Sequence, residues 1–262
     1  MPTIFGSNIY YMAQQVASLP QKLKTSFDPI LGPVITRNLA SGNRAAIAAQ
    51  VRQVAFWIIA AQVGLALMGS IPGEAVMGIV GPQFVAGTAA LAFLLTAEVL
   101  ASTGAVCESA LVYLARHRNL MISAAMLTFQ VVLSFALILA MRALGWPIAF
   151  QAAGPAVALM LSVALTSVVK ARVLGRLLHA PVSPLRWALL WAALAAVVVG
   201  GCFAMLPHSL EWAEVILGIP AIAAVYLFVL WRWAFGPADR ALFGKMPRAD
   251  EATLPNVGAI TR

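Results

Sequence analysis

Long apolar runs alternate with short polar connections along this chain. Six runs approach or reach the roughly 20 residues that a helix needs to cross a bilayer: 54–70, 84–107, 120–142, 148–169, 186–206 and 214–234. The first is short, but the residues before it continue it as a helix. Asn43 stands where an N-cap belongs, and Ile47, Val51, Val54 and Ile58 recur at helical spacing while Arg44 and Arg52 fall on the polar side. The pattern predicts an all-α, polytopic transmembrane helix bundle.

Residues 13–36 fit the pattern least well. Val16, Leu19, Phe27, Ile30, Leu31, Val34 and Ile35 are interrupted by Lys22, Lys24, Asp28 and the prolines at 20, 29 and 33. Hydropathy alone favours an interfacial or cytoplasmic stretch. The competing reading is a broken helix that crosses the membrane with its charges facing a water-filled interior, where intramembrane charges are normally found.

The connections give an orientation. Residues 71–83 carry Glu74 and no Lys or Arg, whereas 115–119 carry Arg116 and Arg118. The connection at 143–147 has no cation, while 170–186 holds Lys170, Arg172, Arg176 and Arg186. No Lys or Arg occurs in 207–213, and the tail has Arg232, Arg240, Lys245, Arg248 and Arg262. Basic and non-basic connections alternate, so the positive-inside rule places the basic ones and the C-terminus in the cytoplasm; if 13–36 also crosses, the N-terminus is outside. The expected layout is a short N-terminal segment (1–12), a membrane body (13–240) and a disordered cytoplasmic tail (241–262).

Composition agrees with a membrane solvent. Apolar residues make up 62% of the chain and charged residues 10%, against roughly 45–50% and about 25% in soluble domains. The net charge of +8 does not point to nucleic acid, because the cations cluster between apolar runs without the interleaved aromatics of a nucleic-acid face. Trp146, Trp187, Trp212, Trp231 and Trp233 fall near span ends, as an interfacial aromatic belt requires. Gly154, Ala158, Ser162 and Thr166 form one stripe of small residues, and Ala188, Ala192, Ala196, Gly200 and Ala204 another. Both read as faces where helices approach closely.

Candidate chemistry is sparse. The aspartates Asp28, Asp239 and Asp250 are scattered, and His117, His179 and His208 lie in separate connections, each reading as a solvated loop or interface residue. Cys107 and Cys202 have no metal or redox spacing, and no phosphate loop, nucleophile elbow or zinc-protease helix occurs. Neither an enzyme nor a cofactor is expected. Glu98, near the middle of its span, reads equally as a functional carboxylate or as a structural carboxyl bonded to a neighbouring helix. Ser123, Gln130 and Ser134 share one face and suggest interhelical hydrogen bonds.

The stretch from Tyr10 to Leu67 has an aromatic pair, a Leu-Pro break and a hydrophilic segment ending in Pro-Val. A Gly-Asn-Arg turn and an Arg-dotted helix follow. In this order it resembles the first helices of the C-terminal lobe of polysaccharide flippases in the multidrug/oligosaccharidyl-lipid/polysaccharide exporter superfamily. GPQFVAGTAALAFLLTAEVL (81–100) is similar to the family's next landmark, and FGPADRALFGKM (235–246) is reminiscent of bacterial lipopolysaccharide biosynthesis proteins. The likeness implies six clear spans plus a polar first helix, forming one lobe of a two-lobe transporter. It implies a polyprenyl-pyrophosphate-linked oligosaccharide as substrate, a bacterial inner membrane as location, and membrane lipid and a missing N-terminal lobe or second copy as partners.

In that family the segment matching 13–36 crosses the membrane and lines the cavity. Lys22 and Lys24 then become candidates to attract pyrophosphate, with Asp28 as their partner or a coupling group and Glu98 as a further cavity residue. The family has twelve to fourteen helices, so this chain is expected to be a truncated, miscalled or split half. Rival expectations are half of an ion-coupled multidrug exporter, a membrane enzyme, for which reactive groups in large outer loops are lacking, and a non-transporting assembly partner.

Overall fold

A computed structural model describes residues 11–18, 35–40, 42–145, 148–205, 214–236 and Asp239, with the side chains of 148–153, 156 and 214 excepted. These residues are helical or in short turns. Two short helices, α1 (11–18) and α2 (35–40), precede α3 (Arg44–Ser70). After them come α4 (Gly73–Val80), a 3₁₀ turn (Pro82–Gly87), α5 (Thr88–Ala143), α6 (Ile148–Leu178), α7 (Trp187–Ala204) and α8 (Ile219–Ala234). Among the described residues, five helices are long and apolar enough to cross a membrane.

The expected start of α3 is observed. Asn43 Oδ1 accepts the Ala46 amide at 3.1 Å, satisfying a donor that the first helical turn leaves unpaired. Ile47, Val51 and Ile58 are buried while Arg44 and Arg52 stay exposed, as the helical spacing requires. Past α4, Gly81 has φ +156° and ψ 144°, a conformation open to glycine, and Pro82 then opens the 3₁₀ turn.

α5 contains two of the expected spans. At 56 residues a straight α5 would reach about 84 Å, far more than a bilayer. Its backbone leaves helical geometry at Ala115 (φ −156°, ψ 59°), and the chain folds back there. The proof lies on α6, where Ser167 Oγ donates to the Leu100 carbonyl at 2.6 Å and Ser162 Oγ to the Met126 carbonyl at 3.2 Å. Five residues of α6 cover about 7.5 Å, whereas residues 100 and 126 would be about 39 Å apart in a straight helix. The first arm (88–114) and the second (116–143) therefore both flank α6. The turn falls where Arg116, His117 and Arg118 interrupt the apolar pattern.

Helix ends differ from the hydropathy limits because a charge ends an apolar run without ending a helix. α6 continues past 169 to Leu178, so Lys170, Arg172 and Arg176 are helical rather than in a loop. It ends where His179 adopts φ +53° and the Ala180 amide reaches back to the Gly175 carbonyl at 3.2 Å, a Schellman stop, followed by Pro181.

Close packing follows the small residues. Ala158, Ser162, Ala192, Ala196 and Gly200 are buried, although Ala204 is exposed at the end of its stripe. At Gly104 an added Cβ would lie 2.7 Å from Ser167 Oγ and 3.3 Å from the Ser167 Cα, so only glycine lets the first arm of α5 approach α6 this closely. Among the described residues, interhelical hydroxyl hydrogen bonds come from Ser162, Ser167 and Tyr226 rather than from the Ser123–Ser134 face. Ser134 bonds the Gln130 carbonyl of its own helix, and the Ser123 hydroxyl has no partner among the described residues. Trp187, Trp231 and Trp233 are exposed at helix ends, in keeping with an interfacial belt.

The core divides by depth. One cluster joins Ile35 of α2 to Ile47, Val51, Leu111, Leu174 and Leu178. Another joins Ala13 and Ala17 of α1 to Met77, Leu91, Leu94 and Leu95. These lie at opposite ends of α3 and of the first arm of α5. The first is the basic end, close to Arg44, Arg116, Arg172 and Arg176.

Candidate functional site

Of the four site residues expected from sequence, Lys22, Lys24 and Asp28 lie outside the described residues. The helices on either side of them are described and are far apart: α1 packs at the non-basic end and α2 at the basic end. Glu98 is half-buried on the first arm of α5, and its backbone carbonyl accepts the Ser102 hydroxyl. It lies ten residues, or about 15 Å of helix, from the nearest acid on that arm, Glu108. It lines none of the cavities described below.

At the basic end the structure assembles polar groups that sequence reasoning passed over. Lys170, on α6, is buried, and its Nζ donates to Glu108 Oε2 at 2.7 Å. An ammonium is held at such depth only with a counter-charge, while the Glu108 side chain is 47% exposed and keeps one side in water. Across the turn at Ala115, Asn119 Nδ2 reaches Glu108 Oε1 at 3.5 Å. Beside the pair is a cavity of about 460 Å³ lined by Glu108, Val112, Arg116, His117, Asn119, Leu120 and Ser123. Asn119 Oδ1 and Ser123 Oγ are buried there without a hydrogen-bond partner among the described residues. Two unpaired oxygens, a carboxylate, a guanidinium and an imidazole equip this pocket to hold a polar, hydrogen-bonding group.

A second cluster is closed. Asp239 is buried beyond the end of α8 and receives four donors. Gln53 Nε2 and Trp57 Nε1 from α3 reach Oδ1 at 2.9 and 3.0 Å, while Arg186 Nη1 and the Gly236 amide reach Oδ2 at 3.1 and 3.0 Å. Burial pushes the carboxyl up, but the hydrogen bonds from Gln53, Gly236, Trp57 and Arg186 outweigh it and hold the group below the usual carboxylate range. Arg186 also donates to the Ala234 carbonyl at 3.1 Å and stacks 4.2 Å over the Phe56 ring. One carboxylate thus ties α3, the start of α7 and the end of α8 together.

No family model, curated protein or solved structure matches the chain. Its own residues carry what can be said of it. It is an all-α bundle with the span-length helices of a multi-pass membrane protein. Among the described residues, no group of three or more His, Cys, Asp or Glu could hold a metal ion.

The sequence did hold signals for both clusters. Asp239 is an acid among cations, inside the FGPADR stretch already singled out, and Glu108 directly follows the last residue of its apolar run. The partners that join each to another helix are remote in sequence: Lys170 is 62 residues from Glu108 and Gln53 is 186 from Asp239.

Proposed function

We propose that this chain is one lobe of a flippase that moves polyprenyl-pyrophosphate-linked oligosaccharide across a bacterial inner membrane without covalent chemistry. The observation that carries the reading is the separation of α1 from α2. The stretch bearing Lys22, Lys24 and Asp28 joins helices packed at opposite ends of the bundle, as a segment linking the two faces of the membrane must. Cations in a low-dielectric cleft attract pyrophosphate strongly, and the matching segment lines the cavity in the family that residues 10–67 resemble. On this reading the basic end and the C-terminus face the cytoplasm. A site between two lobes works by one rocking against the other, so the lobe acts with a second one.

The test is export in a strain lacking its own flippase, given this chain together with a separate N-terminal lobe. Combining Lys22→Ala with Lys24→Ala should abolish export at an unchanged membrane level of the protein, while the double lysine-to-arginine variant keeps most of it. Full export by the alanine variant would remove the phosphate-attracting role. Export by this chain alone would contradict the two-lobe mechanism.

A further inference from the structure

Independently of the transported substrate, the basic end carries a feature that neither polar cluster uses. A groove of about 760 Å³ runs between α3, the first arm of α5, α6 and the 180–185 connection, within the range of about 300–1,000 Å³ of small-molecule sites. Its walls are apolar, with Ile59, Leu100, Val168, Ala171 and Leu185 among them. Along α6 it extends from Ala164 to Arg176, twelve residues or about 18 Å.

The charge on this groove is of one sign. Arg172 and Arg176 stand one helical turn apart at its edge, both exposed. Among the described residues, no Asp or Glu lines it and neither arginine enters an ion pair. Arg176 also borders a second cavity of about 390 Å³, with Arg118 and the apolar Met121, Ile122, Val173 and Leu177. An arginine ridge is thus flanked by two apolar troughs near the basic end of α6. Basic pockets between transmembrane helices are sites for anionic headgroups, and paired guanidiniums match a phosphate's oxygens.

We propose that this groove is a binding site for an anionic phospholipid of the adjoining leaflet, with the headgroup phosphate on Arg172 and Arg176 and an acyl chain along α6 toward Ala164. The lipid covers apolar wall that the helices leave open and neutralises two otherwise unpaired cations.

The experiment is native mass spectrometry of purified residues 1–262, offered phosphatidylglycerol and phosphatidylcholine with identical acyl chains. Phosphatidylglycerol should be retained at least fivefold over phosphatidylcholine. Arg172→Gln with Arg176→Gln should bring that preference within twofold of parity, while the double lysine variant keeps a clear preference. Arg232→Gln, an exposed cation on α8, should change nothing. Ala164→Phe should cut phosphatidylglycerol retention severalfold with the charges intact, separating loss of the trough from loss of charge. Equal retention of the two lipids, or an unaltered preference in the double glutamine variant, overturns the proposal. So does displacement of phosphatidylglycerol by inorganic phosphate at equal concentration, which needs no trough, or by farnesyl pyrophosphate at a tenth of it, which would mark a pyrophosphate site.

Discussion

Asp239 and Glu108 are both carboxylates that tie helices together at the basic end, and they do it in opposite ways. Asp239 is buried and saturated, with two donors on each oxygen. Glu108 is half exposed and under-used, with a lysine on one oxygen and a marginal 3.5 Å contact on the other. Nothing more can be added to the first without displacing a donor. The second adjoins a cavity with two orphan oxygens. A satisfied carboxylate fixes a structure, whereas an unsatisfied neighbourhood leaves room for a ligand.

Removing Asp239 should produce the largest effect. In Asp239→Ala the Gln53, Trp57 and Gly236 donors lose their acceptor and Arg186 its counter-charge. Breaking a buried pair costs about 3–5 kcal/mol. Because Arg186 is about a third exposed, water offsets part of its loss, and about 3 kcal/mol is the expected drop in unfolding free energy in mild detergent. A loss below about 1 kcal/mol would make this cluster no more rigid than the one around Glu108.

Acid titration sharpens the contrast. Asp239 has its pKa lowered in the folded protein, below the unfolded carboxylate value of about 3.9. Its contribution is therefore fully present above that value and fades as pH falls through the lower folded one. The gap in stability between the native chain and Asp239→Asn should stay constant from neutral pH down to about 5 and narrow below about 4. A gap that widens on acidification would reverse the sign.

Glu108→Gln should cost less, about 1–2 kcal/mol. It strips the buried Lys170 of its charge partner, but the amide oxygen still accepts a hydrogen bond and water reaches the exposed side. Lys170→Met should be milder still, since it removes the buried charge itself. Thermal unfolding of the two variants should rank them in that order, and the reverse ranking would show that Lys170 holds the site through its stem.

The smallest effect belongs to Asn119→Leu. The weak contact to Glu108 is lost, but so is an orphan buried acceptor, and such losses and gains nearly cancel. Stability should change by no more than about 0.5 kcal/mol. A loss above about 1.5 kcal/mol would mean that Asn119 Oδ1 already has a partner, such as bound water.

Much of the fold was legible because hydropathy acts over whole segments. Asn43, Arg52 and the Gly154–Ser162 stripe all fall where spacing put them. Two kinds of feature were not legible. α6 outruns its apolar stretch because Lys170 is an adequate helix former and meets Glu108, a pairing invisible along the chain. Glu98 stood out as an acid in the middle of a run, whereas Glu108, just past the end of that run, drew no notice. Depth in a membrane ranks residues by cost, but which of them meet is set by how helices cross.

The turn at Ala115 leaves the two arms of α5 with no loop between them. A helical hairpin with a long connection absorbs inserted residues as slack. Here one added residue inside either arm rotates everything beyond it by about 100° and advances it by about 1.5 Å. Val132, now exposed on the second arm, would swing into the half-buried place of residue 133, and Met126 would lose its register with Ser162. The hairpin therefore counts residues: its length is fixed in phase as well as in span, and an insertion or deletion is tolerated only where the turn itself takes it up.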